Sequence, residues 1–279
     1  MALLAQALAR AVGGLAFHRA FTRHVRTFHA ATAPVPFGVC SSWTMDTTAK
    51  RWLLEQVKRP AIRLLHRTRA GEAVLVRVYL EAEEHAEHAV WLDALIPTAP
   101  PWLQRWLAAH RAEEARHAEM FRTHLHALTG ESVQASGALD PVSRWKLRRL
   151  VRLVHRSGNQ FEQGTLVPAL AVAGLLEEMG VRVFERHVEV LRESLPDAPL
   201  LPLLERALAD ERRHAAACRR SVERLTTPAE CRALALLLAR AERIERQLGV
   251  TGAVLLWGIG LFCALRAWFL PSHAMEVTP

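Results

Sequence analysis

From Thr48 onward, Leu and Val recur at spacings of three and four, with Arg, Glu, Gln and Ala filling the positions between them. That period puts apolar side chains on one stripe of a helix and charges on the other. Short alternating runs bounded by turn residues are hard to find, so strands are not expected. The pattern predicts helices at roughly 48–68, 70–95, 101–128, 141–156, 165–195, 200–225 and 228–248. Between them fall "IPTAPPW" at 96–102, "TGESVQASGALDP" at 129–141, "LPDAPLLP" at 195–202 and "TTP" at 226–228, all rich in turn formers.

Composition supports an all-α chain: 51% of the residues are hydrophobic, there is one Tyr, and Ala, Leu, Arg and Glu dominate. At 279 residues the chain has ample length to bury a core. The net charge of +8 comes mostly from Arg on helices that also carry Glu. No basic-aromatic recognition module accompanies that charge, so no nucleic-acid partner is expected, and solvated faces or anionic lipid account for it. Cys40, Cys218, Cys231 and Cys263 stand singly, which excludes a rubredoxin-like or zinc-ribbon module and gives no sign of a disulfide framework.

The two ends differ from the body. Residues 1–47 hold no acid before Asp46 and place Arg10, Arg19, Arg23 and Arg26 among Ala, Leu and Phe. This suits either a mitochondrial transit peptide or a basic extension that includes a surface helix. In the C-terminal part, 229–279, residues 250–265 are free of charge and the apolar run resumes after Arg266 to Leu270. Its length approaches that needed to cross a bilayer. Arg240, Arg243 and Arg246 precede it, so a membrane anchor with the main body on the cytoplasmic or matrix side is expected, against the alternative of a buried core helix.

Chemistry enters with "AEEARHAEMF" at 112–121 and "ADERRHAAAC" at 209–218. Residues three apart share a helix face, so Glu114 with His117, and Glu211 with His214, can each ligate one metal. Helical bundles that hold two irons take a Glu-x-x-His from each of two helices and a Glu from each of the other two. Carboxylates are hard oxygen ligands that bridge cations, and imidazole leaves positions open for oxygen. The preceding helices offer Glu72 in "GEAVLVRVY" and Glu177 in "LEEMGVRVF", which align as a repeat that also pairs Tyr79 with Phe184.

These motifs resemble the ferritin-like di-iron carboxylate superfamily. Within it, "RAGEAVLVRVYLEA", "LLEEMG" and "DERRH" are most similar to the demethoxyubiquinone monooxygenase family, over about residues 65–225. The resemblance implies a ferritin-like four-helix bundle at 48–228, with extra N-terminal, crossover and C-terminal helices. It implies Glu72, Glu114 and His117 as ligands of one iron and Glu177, Glu211 and His214 as ligands of the other, with Glu114 and Glu211 bridging. Tyr79 would donate a hydrogen bond to a ligand carboxylate. Two points stay open. Glu177 and Glu211 lie 34 residues apart but Glu72 and Glu114 lie 42, so Glu81 or Glu84 are alternatives; Glu72 is preferred because it lies on the apolar side of its helix. Glu178 can exchange roles with Glu177. The remaining histidines, His85, His88, His110, His124 and His126, are expected at the surface.

The implied function is O2-dependent hydroxylation of a hydrophobic, quinone-like substrate at a membrane, as in ubiquinone biosynthesis. It needs two Fe ions, for which Mn can substitute, and an external reductant. The alternatives are a ferroxidase or peroxidase that handles iron or peroxide with the same site, and a helical adaptor without metal.

Overall fold

The computed structural model describes residues 49–87, 96–132 and 141–269, which lie within one compact unit, Cys40–Pro279. The extension 1–47, the end of the helix expected over 70–95 with His88, and Leu270 fall outside the described residues. Every regular element among the described residues is helical. In chain order these are α1 (Ala49–Leu65), α2 (Arg69–Glu87), α3 (Pro101–Thr129), α4 (Pro141–Ser157), α5 (Leu166–Ser194), α6 (Leu200–Leu225) and α7 (Cys231–Phe269), with short 3-10 turns before α3, α5 and α7.

The helix limits follow local chemistry. Pro101 opens α3, where its missing N–H leaves no donor stranded, and Gly130 closes the helix in the left-handed conformation at φ 70°, its N–H donated to the carbonyl of His126. Ahead of α7, the Glu230 carboxylate reaches back to accept the backbone N–H of Thr227 at 2.7 Å. Glu230 also accepts the backbone N–H of Glu162, tying this turn to the start of α5.

Packing is most extensive between α5 and α6 and between α2 and α3, so each Glu-x-x-His helix lies against the helix that precedes it. Val76, Tyr79 and Leu80 of α2, Phe121 and Leu125 of α3, Phe184, Val188 and Leu191 of α5 and Leu204 of α6 share one core. A second core joins Leu103 and Leu107 of α3 to Leu170 of α5 and Leu234 and Leu237 of α7. The crossover helix α4 is seated by Leu150 and Val154 against α5 and α7.

The C-terminal segment corrects the sequence reading. The helix expected to end near 248 runs on to Phe269, yet among the described residues no helix is long and apolar enough to cross a membrane. Leu256 and Ile259 pack on Ile62 and Leu65 of α1, Leu75 of α2 and Val190 of α5, and Cys263 is buried. One side of the apolar run therefore serves the protein's own core, which is the usual reason for an apolar helical stripe in a globular chain.

Candidate metal centre

Midway along α3, α5 and α6 and in the last turns of α2, buried and half-buried His and Glu side chains meet in two groups. His110, Glu114, Glu177 and His214 form one; Glu83, Glu114, His117 and Glu211 form the other. Within each group the potential ligand atoms lie within 4.8 Å of one another, and Glu114 belongs to both. Such groups can hold metal ions.

The histidines are aimed by acids from the opposite Glu-x-x-His helix. His117 Nε2 lies 3.0 Å from Asp210 Oδ2, and His214 Nε2 lies 2.7 Å from Glu113 Oε2. A carboxylate accepts, so each imidazole donates its Nε2–H outward and, when neutral, turns the lone pair of Nδ1 inward. Both Nδ1 atoms are buried without a hydrogen-bond partner, and so is Glu114 Oε1. His214 Nδ1 stands 3.0 Å from Glu114 Oε1, and His117 Nδ1 stands 3.5 Å from Glu83 Oε2 and 3.9 Å from Glu211 Oε1. Buried polar atoms are rarely left unpaired, and three orphans converging on one carboxylate cluster fit a cation as their missing partner. The acid that precedes each ligand Glu thus orients the histidine of the other motif.

Proton affinities reflect the crowding. Burial pushes the carboxyls of Glu83 and Glu211 well above the ordinary range, and neighbouring carboxylates push the same way. Burial and the charge of Glu114 raise Glu177 to about 7. Burial also opposes ionisation of Glu114, but contacts with His214 and Glu83 outweigh it and hold Glu114 at about 2. For His214, burial opposes the charged form, yet Glu114, Glu177 and Glu113 lift it to about 9, so a cation binding at Nδ1 would displace a proton from it. Without a cation the crowding is met by protons on Glu83 and Glu211; with all four carboxyls ionised, their formal charge matches that of two divalent cations.

Backbone shape also serves the cluster. A Cβ on Gly180 would lie 2.8 Å from Glu211 Oε2, so the absence of a side chain on α5 makes room for that carboxylate.

Of the residues expected as ligands, Glu114, His117, Glu177, Glu211 and His214 lie in the two groups and Glu72 does not. Glu211 also groups with His117 instead of His214. The α2 member is Glu83, which none of the alternatives named; Glu84 instead pairs with Arg122 at 2.9 Å. Glu83 lies eleven residues beyond Glu72, about three helical turns, hence on nearly the same face but one helix segment deeper. It is 31 residues from Glu114, near the 34 between Glu177 and Glu211, but Glu81 at 33 and Glu84 at 30 are comparably near, so spacing does not choose among them and the packing of α2 does. The repeat through Glu72 and Glu177 does not align the members of the two groups, since the α2 member is Glu83. Glu178 is held by Arg219 at 2.6 Å, outside both groups.

His110, expected at the surface, is 6% exposed, and its Nε2 lies 3.1 Å from both Glu177 and Glu114. Its signal was present: positions 110, 114 and 117 follow the period of one helix face. Burial holds its basicity below the ordinary imidazole value.

Glu72 and Tyr79 belong to another buried network. Glu72 Oε1 accepts from His124 Nε2 at 2.9 Å, and His66 Nδ1 lies 3.7 Å from Glu72 Oε2. Tyr79 donates to His187 Nδ1 at 2.8 Å rather than to a ligand carboxylate, which corrects its expected role. His187 then carries its proton on Nε2 and donates it to His66 Nε2, leaving the proton of His66 on the side facing Glu72. Hydrogen bonds from His124 and His66 hold Glu72 at about 2, and burial drives His187 down to about 3. His124 is therefore half-buried against Glu72 and not fully at the surface.

No protein-family model, curated protein or solved structure matches the chain, so the reading of this centre rests on its own geometry.

Proposed function

We propose that the chain is a ferritin-like, dinuclear metal carboxylate protein, with iron as the metal and Mn as the alternative that the same hard donors accept. The observation that carries this reading is the pair of ligand groups sharing Glu114, with the unpartnered Nδ1 atoms of His117 and His214 turned toward it.

More particularly, we propose an O2-dependent oxidoreductase that hydroxylates a hydrophobic, quinone-like substrate, in keeping with the resemblance of "RAGEAVLVRVYLEA", "LLEEMG" and "DERRH" to the demethoxyubiquinone monooxygenases. The balanced reaction joins substrate C–H, O2, two electrons from an external reductant and two protons to give C–OH and water. Two ferrous ions, when bound, supply the redox chemistry that O2 reduction requires. The chain's own residues do the rest. Glu83, Glu114, Glu177 and Glu211 would hold the pair with His110, His117 and His214. Asp210 and Glu113 fix the tautomers of the two motif histidines. Phe121, one turn beyond His117, and Phe184 pack with Tyr79 and Leu80 beside the centre and keep water from that side.

The test is metal analysis and O2 consumption by purified, iron-loaded protein with a reductant and a series of quinone-like compounds. Hydroxylated product coupled to O2 uptake supports the proposal; protein that binds no iron rules out the entire reading. A second reading rests on the same two ligand groups, whose hard donors suit iron as cargo as well as cofactor. In that reading ferrous iron is itself the substrate, and turnover with iron and O2 alone, leaving ferric mineral, identifies a ferroxidase.

A further inference from the structure

Away from the metal centre, α4 and α7 flank an open cavity of about 380 Å³. Arg149, Arg152 and Arg156 of α4 and Arg240 and Arg243 of α7 line it, over a floor that includes Leu153 and Ile244. The spacing produces this concentration: positions 149, 152 and 156 repeat at helical intervals, as do 240 and 243, so each helix presents its arginines on one face. Leu150 and Val154 pack against Ala241 and Ile244 and lock the two faces in register.

The lining contains no acid, and no ion pair joins any of the five arginines to a carboxylate among the described residues. On α5 and α6, by contrast, the arginines are neutralised: Arg212 pairs with Glu185, Arg192 with Glu205 and Arg219 with Glu178. Five like charges around one concavity repel each other unless an anion joins them, and the low-dielectric floor strengthens the field at the mouth. Guanidinium forks match phosphoryl oxygens in pairs, whereas a singly charged anion would leave most of this charge unmatched.

We propose that this cavity is a binding site for a multiply charged phosphoryl group. The proposal is independent of the metal centre, since it uses none of its residues.

The experiment is calorimetric titration of the full chain with pyrophosphate, against a variant carrying Arg152→Gln, Arg240→Gln and Arg243→Gln. A control variant with Arg206→Gln, Arg220→Gln and Arg232→Gln removes the same charge from exposed positions elsewhere. Pyrophosphate affinity is expected to fall by about tenfold or more in the cavity variant and to change little in the control. Equal loss in both variants, or no measurable binding, overturns the proposal; citrate binding as tightly as pyrophosphate overturns the phosphoryl assignment. If the triple variant loses helix content, Arg152→Gln alone gives the same reading with a smaller effect. Sedimentation with phosphatidylcholine vesicles, with and without phosphatidic acid, separates the sources: capture that depends on the acid and on Arg152 indicates a lipid headgroup, and its absence alongside pyrophosphate binding indicates a free phosphate ester.

Discussion

Two buried clusters of His and Glu occupy the same set of helices, and they behave as opposites. Around Glu72, the chain Tyr79, His187, His66, Glu72 and His124 closes on itself through hydrogen bonds and ion-pair contacts. Around Glu114, the outward atoms of His117 and His214 are held by acids while their inward atoms find no partner. The residue types are the same. A network that satisfies itself contributes rigidity and needs nothing further, whereas one whose donors converge without partners is built for something it does not itself contain.

The sharpest way to break this comparison is to delete one acid from each cluster. Glu114→Ala is expected to abolish binding of both cations, because Glu114 is common to both groups, while Glu72→Ala keeps the full metal complement. Metal analysis of the two purified variants checks this; loss of metal from the Glu72 variant would erase the distinction. Glu83→Ala belongs with Glu114→Ala and is expected to weaken one of the two cations selectively.

Next in size are residues that act on ligands through contact. Asp210→Asn can present its amide N–H to His117 Nε2 and so turn the wrong tautomer toward the centre. Metal affinity is expected to drop by about 10–100-fold, read by competition with a chelator. Gly180→Ala forces a methyl group into Glu211, so a weaker metal site with helix content unchanged is the expected outcome by the same assay.

Smaller effects belong to the closed network. Tyr79→Phe leaves His187 Nδ1 buried and unpaired, costing about 1–3 kcal/mol in chemical denaturation, with metal content unaltered. The network also has a pH signature. His187 is neutral in the folded protein, its value pressed from 6.5 to about 3 by burial, whereas the unfolded chain takes up a proton below about 6.5. The unfolded state binds more protons across that window, so this contribution to stability is complete above pH 6.5 and is lost as pH falls toward 3. Thermal melts of metal-free protein should therefore show a shallower acid slope for His187→Asn than for the parent chain.

Much of this was legible before any fold was known. The apolar period gave helix positions within a few residues over α3, α4, α5 and α6, because a helix face facing a core must repeat at that interval. Both Glu-x-x-His pairs were legible for the same reason: three residues make nearly one turn. The apolar C-terminal run was misread as a membrane anchor because composition does not say what an apolar stripe packs against, and here α1, α2 and α5 cover part of it.

By itself, then, the sequence determined that the chain is helical and that Glu114, His117, Glu211 and His214 can share faces, since both facts follow from the geometry of one helix. Only the tertiary structure decided between Glu72 and Glu83, three turns apart on one face, and brought His110 inward, gave Asp210 and Glu113 their histidines, and closed Tyr79 into a network of its own. Those choices depend on how far each helix is slid along its neighbours, and that depth is set by the packing of several helices at once, a quantity no single helix's periodicity contains.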